Sequence, residues 1–465
     1  MKSKVARAAL AGAAAGLIAF AVAAAAPGVG SAGGSLSTSG WTSRLTNAQV
    51  RVLSADADQR VIVLLRNQRT AFATQRAPVV AQLRQLHVPR LVTYETVNAV
   101  ATTVSAAEAA NLRRDPAVLA VAPDVVVKGP STNANLLPRV TRAAAHAASR
   151  MSPRAASSSS KKVCGSATAP LLEPQALHLI NADNRTNASS PLTSGPKSAH
   201  HLGYTGAGVN IAVFPDGMDP NLPDFKRNGQ SAVTDYRDFS GEGLNAQTGG
   251  GEAFGDVSSL VAQGNTTYNL DQEINPDFAT TGGTCAVKVL GVAPGADVDV
   301  MKVFGSSNSS FTSVILQGID WAIQHDHADI LSISIGFGGL PTSADEQALT
   351  AILENAMHHG TVVVASTGDS SPSNTEGSPA LDPGVIGTAA STSYRLFAQT
   401  NLFLYDMAQA VHNHSSPSYH LGQSTPGWLD NQVSTLSSSG VTEDRRMPDL
   451  IAPGDLNWAA CSTDT

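Results

Sequence analysis

The sequence predicts an α/β fold built on a doubly wound parallel sheet, preceded by a small α+β domain, on three observations. Beyond Gly203, short apolar runs read as buried strands over Val209–Phe214, Val298–Val303, Ile330–Ile335, Val362–Ser366 and Val385–Thr388. Helical patterns near Asp256–Gln263, Phe311–His325 and Ala344–His359 stand between several of them, an alternation that implies parallel strands joined by right-handed crossovers. With 465 residues, 42% of them hydrophobic and only 14% charged, the chain can bury a large core and divide into two or three units.

At the amino end, Lys2, Lys4 and Arg7 precede an apolar run, Ala8–Ala26, with small residues suited to cleavage around Ala24–Ala32. Residues 1–32 therefore read as an export signal; a membrane-anchored surface protein is the other reading, since the run is nearly long enough to span. No later stretch could span a bilayer, so the remainder is expected to be secreted and free of the membrane once the signal is cleaved. Cys164, Cys285 and Cys461 suit an oxidising compartment; their odd number leaves one without an intrachain mate, and their spacing matches no zinc pattern. A formal net charge of −7 argues against nucleic acid as a partner.

Residues 47–128 read as the small α+β domain. Val61–Leu65 and Ala99–Val104 are expected strands, and Pro78–Leu86 is an expected helix with its proline in the tolerated first turn. Ala106–Arg114 follows as a second helix and Val118–Val127 as a last strand pair. Residues 131–166 mix Arg139, Arg142, Arg150, Arg154, Lys161 and Lys162 with Ala and a Ser157–Ser160 run, a composition that cannot bury enough apolar surface to fold and reads as an exposed linker open to proteolysis.

The stretch GYTGAGVNIAVFPDGMDPNLPDF, Gly203 to Phe225, places Asp216 and Asp219 at a strand's carboxyl end, where ligands bind in open α/β sheets. It resembles the first catalytic strand of subtilisin-like serine peptidases, except that Pro215 stands at the family's catalytic aspartate. Asp216 is displaced by one residue and is expected to leave the strand on the other face. GVAPGADVDVMKVFG (Gly291–Gly305) and LSISIGFGG (Leu331–Gly339) resemble two further strands of that family, and VNAVATTVSAAEAANLRRDPAVLAVAPDVVV resembles the end of its propeptide. The resemblance implies a peptidase domain over 195–465, a propeptide that inhibits the enzyme as its own partner, and protein or peptide substrates. It also implies a cleft lined by Ser334, Ile335 and Gly336, with the substrate added as a strand. No cofactor is identifiable in the residues, and calcium is allowed by the family resemblance alone.

A subtilase triad needs a histidine base in an H-G-T-H-V-A-G helix start, and the sequence has none. In the matching place stands GEAFGDVSSLVAQG, where Glu252 and Asp256 lie four residues apart on one helix face. Two carboxylates held close push one pKa up, so that one can serve as base and later as acid. In TVVVASTGDSSPS, Asp369 occupies the place of the family's oxyanion-donating asparagine; it could donate only when protonated. Glu252, Asp256 and Asp369 together resemble the sedolisins, which share the fold but use Glu, Asp and Ser. Asp216 is the fallback acid. The alternatives are a solvated helix cap for Glu252 and Asp256, and an ordinary turn residue for Asp369.

Both families carry the nucleophile in a G-T-S-x-x-x-P segment, and no such segment follows MPDLIAPGDLNWAACSTDT. The catalytic domain is thus expected to be incomplete, lacking its serine; the other functional reading is a catalytically inactive extracellular relative that binds extended peptides through Ser334–Gly336. His325, His327, His358 and His359 fall at expected helix ends, where capping explains them. His412, His414 and His420 lie in a polar insertion, and Asn184 and Asn265 begin sequons of little weight.

Overall fold

The computed structural model describes residues 45–129, 164–189, 197–244, 251–270, 285–336, 344–370 and 376–393 apart from positions 70 and 186, together with 395, 399 and short stretches between 431 and 461. The expected export signal, residues 131–163 of the expected linker and the histidines of the polar insertion lie outside the described residues.

The small domain begins with α1 (Asn47–Ser54), whose first turn is closed by a capping box between Thr46 and Gln49. Next come β1 (Gln59–Leu65), α2 (Phe72–Gln85), β2 (Leu91–Thr93), β3 (Ala99–Val104), α3 (Ala106–Leu112), β4 (Val118–Pro123) and β5 (Val126–Lys128). Strands β2, β3, β1 and β4 form an antiparallel sheet in that order. The unbroken apolar run in β1 is buried on both faces: Val61 and Val63 pack with Val79, Val80 and Leu83 of α2 and Leu112 of α3, while Ile62 and Leu64 face the main core. Helix α2 starts six residues before the expected Pro78, which therefore lies inside it. The proline removes one N–H from the ladder; packing of Val79, Val80 and Leu83 and a hydrogen bond from the buried Arg76 guanidinium to the Tyr94 carbonyl hold the helix across it.

The next elements are β6 (Leu171–Glu173), α4 (Ala176–Leu179), β7 (Asn210–Val213), the two-residue strands β8 (Lys226–Arg227) and β9 (Gln230–Ser231), and β10 (Val233–Asp238). They are followed by α5 (Glu252–Val261), β11 (Tyr268–Asn269), β12 (Ala286–Val289), β13 (Asp297–Lys302), β14 (Ser309–Phe311) and α6 (Thr312–Gln324). The last are β15 (Ile330–Ile333), α7 (Ala344–His358), β16 (Val362–Ser366), β17 (Ile386–Ser391) and β18 (Leu450–Pro453). Among the described residues, seven strands form one parallel sheet in the order β10-β13-β7-β15-β16-β17-β18.

That sheet is doubly wound, as expected. Ala212, Met301, Leu331 and Val363 bury one face under α6 and α7, through Ile315, Ile319, Leu349 and Ile352. Ile211, Val213, Val298 and Val300 bury the other under Ala253, Phe254, Val257 and Val261 of α5. Strand β7 lies between β13 and β15, with β10 and β13 on one side and β15 to β18 on the other, so its carboxyl end opens at a switch point of the topology.

The expected linker runs to Ser166, but Cys164–Ser166 are already built into a second sheet. Cys164 forms a disulfide with Cys285, Gly165 bridges Ala286, and β6 runs parallel to β12, which pairs with β11. Cys461 stays outside that disulfide. Among the described residues no helix is long and apolar enough to cross a membrane.

Candidate active site

Helix α5 owes its start to two residues. Gly251 takes a φ of 75°, a left-handed conformation that suits glycine, and turns the chain into the helix. The buried carboxylate of Asp216 accepts the Gly251 N–H at 2.8 Å and the Ala253 N–H at 3.0 Å, satisfying donors that a helix start leaves open. Strand β7 ends at Val213, so the alternation expected to throw Asp216 to the other face has lapsed before it is reached. Pro215, in the same turn, accepts N–H groups from Val303 and Phe304, and Asp216 points inward to α5.

One stripe of α5, formed by Ala253, Phe254, Val257 and Val261, is sunk in the core. Glu252 and Asp256, one turn apart, occupy another. Asp256 is no solvated cap: its Oδ1 accepts from the Ser334 hydroxyl at 2.9 Å, and its Oδ2 is sealed from solvent without a hydrogen-bond partner among the described residues. Burial raises the Glu252 pKa well above the carboxylate range, and the charges of Asp256, Asp216 and Asp369 push it further. Burial likewise raises Asp256; the Ser334 hydrogen bond opposes this and the Asp216 charge adds to it. A pair in this condition holds a proton at pH values where isolated carboxyls have lost theirs, and one member can accept a proton while the other keeps one.

Ser334, Ile335 and Gly336 follow β15 rather than forming part of it. Ser334 faces Asp256, Gly336 is exposed, and the Ile335 side chain lies in the core at 1% exposure. An isoleucine buried among Ile333 and its neighbours offers a cleft only its backbone.

Asp369 stands in the turn after β16. Gly368 has a φ of 100°, and Ser438 pins the turn: its N–H donates to the Gly368 carbonyl at 2.7 Å and its hydroxyl accepts the Ser370 N–H at 2.9 Å. Asp369 keeps an exposed side chain, and partial burial of its carboxyl raises its pKa. The fold thus brings Asp216, Glu252, Asp256, Ser334 and Asp369 to one end of the sheet. Sequence reasoning missed the contact from Ser334 to Asp256 and the Ser438 pin, because hydrogen bonds between residues about 70 or more apart leave no periodic signal.

The small domain packs against the start of α6. Strand β5 pairs antiparallel with β14, and the Arg60 guanidinium lies 3.5 Å from the centroid of the Phe311 ring. The histidines fit helix ends: His325 closes α6 and stacks on Trp321, and His358 ends α7. Asn265 commits its side-chain amide to the Pro223 and Lys226 carbonyls. Among the described residues no group of three or more His, Cys, Asp or Glu is placed to share a metal ion.

The family model for the subtilase family matches residues 206–465, more than half of the chain. The chain belongs to the subtilase family. It is 31% identical over 202 residues to subtilisin E of Bacillus subtilis (strain 168), covering 42% of this chain and 44% of that protein. It is 32% identical over 203 residues to the minor extracellular protease Vpr of the same organism, covering 42% and 22%, and 31% identical over 202 residues to subtilisin of Bacillus pumilus, covering 42% and 60%. The chain spans less than half the length of the first of these relatives.

Proposed function

We propose that this chain is the precursor of a secreted serine-type endopeptidase in which a carboxyl pair replaces the histidine base. The observation that carries the reading is the pairing of Glu252 with Asp256 on the buried first turns of α5, with Asp256 held by Ser334. The nucleophile in this reading is the serine of a G-T-S segment of the kind the family resemblance implies. In the working form the coupled pair shares one proton and one negative charge. Glu252 takes the serine proton as the hydroxyl oxygen attacks the peptide carbonyl, then returns it to the leaving amine. Protonated Asp369 donates to the oxyanion.

The small domain acts as the propeptide. Its β5 strand pairs antiparallel with β14, and a peptide substrate is expected to take the same antiparallel course. Secretion rests on the signal-like amino end and is supported by the Cys164–Cys285 disulfide. The test is hydrolysis of casein across pH by the unaltered protein beside Glu252→Ala and Asp369→Ala. Activity lost in both variants supports the carboxyl site, full activity in both refutes it, and no activity in the unaltered protein favours a peptide-binding relative.

A further inference from the structure

We propose that Asp216 is a positioning residue for the carboxyl pair: its buried carboxylate clamps the backbone on both sides of Glu252 and fixes the turn from which Glu252 and Asp256 project. The inference rests on the reading of those two residues as the working pair, and it removes Asp216 from the role of fallback acid.

The geometry separates the two roles. A fallback acid would turn an oxygen toward the reacting serine. Both Asp216 oxygens are instead engaged by backbone, Oδ2 by the Gly251 N–H and Oδ1 by the Ala253 N–H, and the side chain is fully buried. The two donors flank Glu252 in sequence, so the contact fixes the peptide units on either side of it. Asparagine is nearly the same size, yet it would present its own N–H groups to one of these donors and lose that bond.

A simple helix cap would not require a carboxylate beside two other carboxyls, because like charges in a buried site repel. The Asp216 charge acts on Glu252, on Asp256 and on the Tyr236 hydroxyl, raising the pKa of each after burial has already done so. Asp369, from the turn after β16, also faces Glu252 and acts in the same direction. Asp216 thus serves two ends: it orients the first turn of α5 and holds a proton on the pair into a higher pH range.

The test is a titration of the full chain carrying carboxyl-13C aspartate and glutamate, comparing unaltered protein with Asp216→Asn. Expected are Glu252 and Asp256 midpoints lower by about one pH unit in the variant, the size of one neighbouring buried charge. Unmoved midpoints in a folded variant overturn the inference while leaving the pair intact. Ordinary midpoints for both residues in the unaltered protein refute the pair itself, and the inference with it. If Asp216→Asn does not fold, the amide shifts of Gly251 and Ala253 in the unaltered chain decide. Both moving with the Asp216 carboxyl signal supports the clamp, and neither moving overturns it.

Discussion

The carboxylate of Asp124 sits on the first turn of α6, where it accepts the Ser313 N–H at 2.8 Å and the Ser313 hydroxyl at 2.7 Å. The same carboxylate, at 0% side-chain exposure, takes Arg60 at 2.8 Å and Arg90 at 3.4 Å. One residue just after β4 therefore caps α6 and neutralises two cations from the strands and loops that precede it. On the same face of contact, Asp320 of α6 accepts the N–H groups of Glu95 and Thr96.

Asp124→Ala removes the cap and leaves two partly exposed guanidinium groups without their shared partner, a change that costs about 2 kcal/mol through the lost charge-assisted hydrogen bonds. Urea unfolding of the intact chain checks the loss. Amide exchange at Val126–Lys128 is expected to accelerate with it, because β5 follows Asp124 directly onto β14.

Ser334→Ala deletes the hydrogen bond that Asp256 accepts among the described residues. That bond favours the ionised form, so its loss is expected to raise the Asp256 midpoint by about one pH unit or more. Carboxyl NMR reads the change, and an unmoved or lowered midpoint contradicts the contact.

Glu252 has a folded pKa raised above its unfolded value. The folded chain binds the extra proton, so its stabilising contribution is full below the unfolded value near 4.3 and is lost as pH rises through the folded value, at about 1.4 kcal/mol for each pH unit between the two. Glu252→Gln is therefore expected to stabilise the chain at pH 7 and to change little at pH 4, as thermal unfolding at the two pH values would show.

Asp183 shows the opposite sign. Burial alone would raise it, but hydrogen bonds from His200 at 3.1 Å and Arg185 at 2.7 Å outweigh burial and hold its pKa down at about 2. The resulting stability is present above its unfolded value near 3.9 and is lost as pH falls through about 2. Asp183→Asn is expected to cost about 2 kcal/mol at pH 7, with the gap from the unaltered chain closing toward pH 2, measured by urea unfolding.

The fold was legible because its signals are local. The runs at Val209–Phe214 and Val362–Ser366 are apolar on both faces, as central parallel strands must be, and the pattern of α6 repeats at helical spacing. The Glu252 and Asp256 spacing is likewise local, since four residues on one helix define a shared stripe. What failed was set by partners distant in sequence. Asp216 faces α5 because the turn after β7 abandons the strand alternation, whereas Ile335 is buried because it continues the alternation of Leu331 and Ile333 beyond the end of β15. Pro78 sits within α2 because packing of Val79, Val80 and Leu83 outweighs one missing N–H. Only three-dimensional neighbours decide such positions.

Carboxyl-13C titration of Glu252 and Asp256 in the intact chain, repeated with Asp256→Asn, decides whether the pair exists. The structure predicts that both titrate well above the usual carboxylate range and that Glu252 falls toward it when Asp256 is neutralised. Two independent midpoints near 4, unchanged by the substitution, would contradict the carboxyl-pair site.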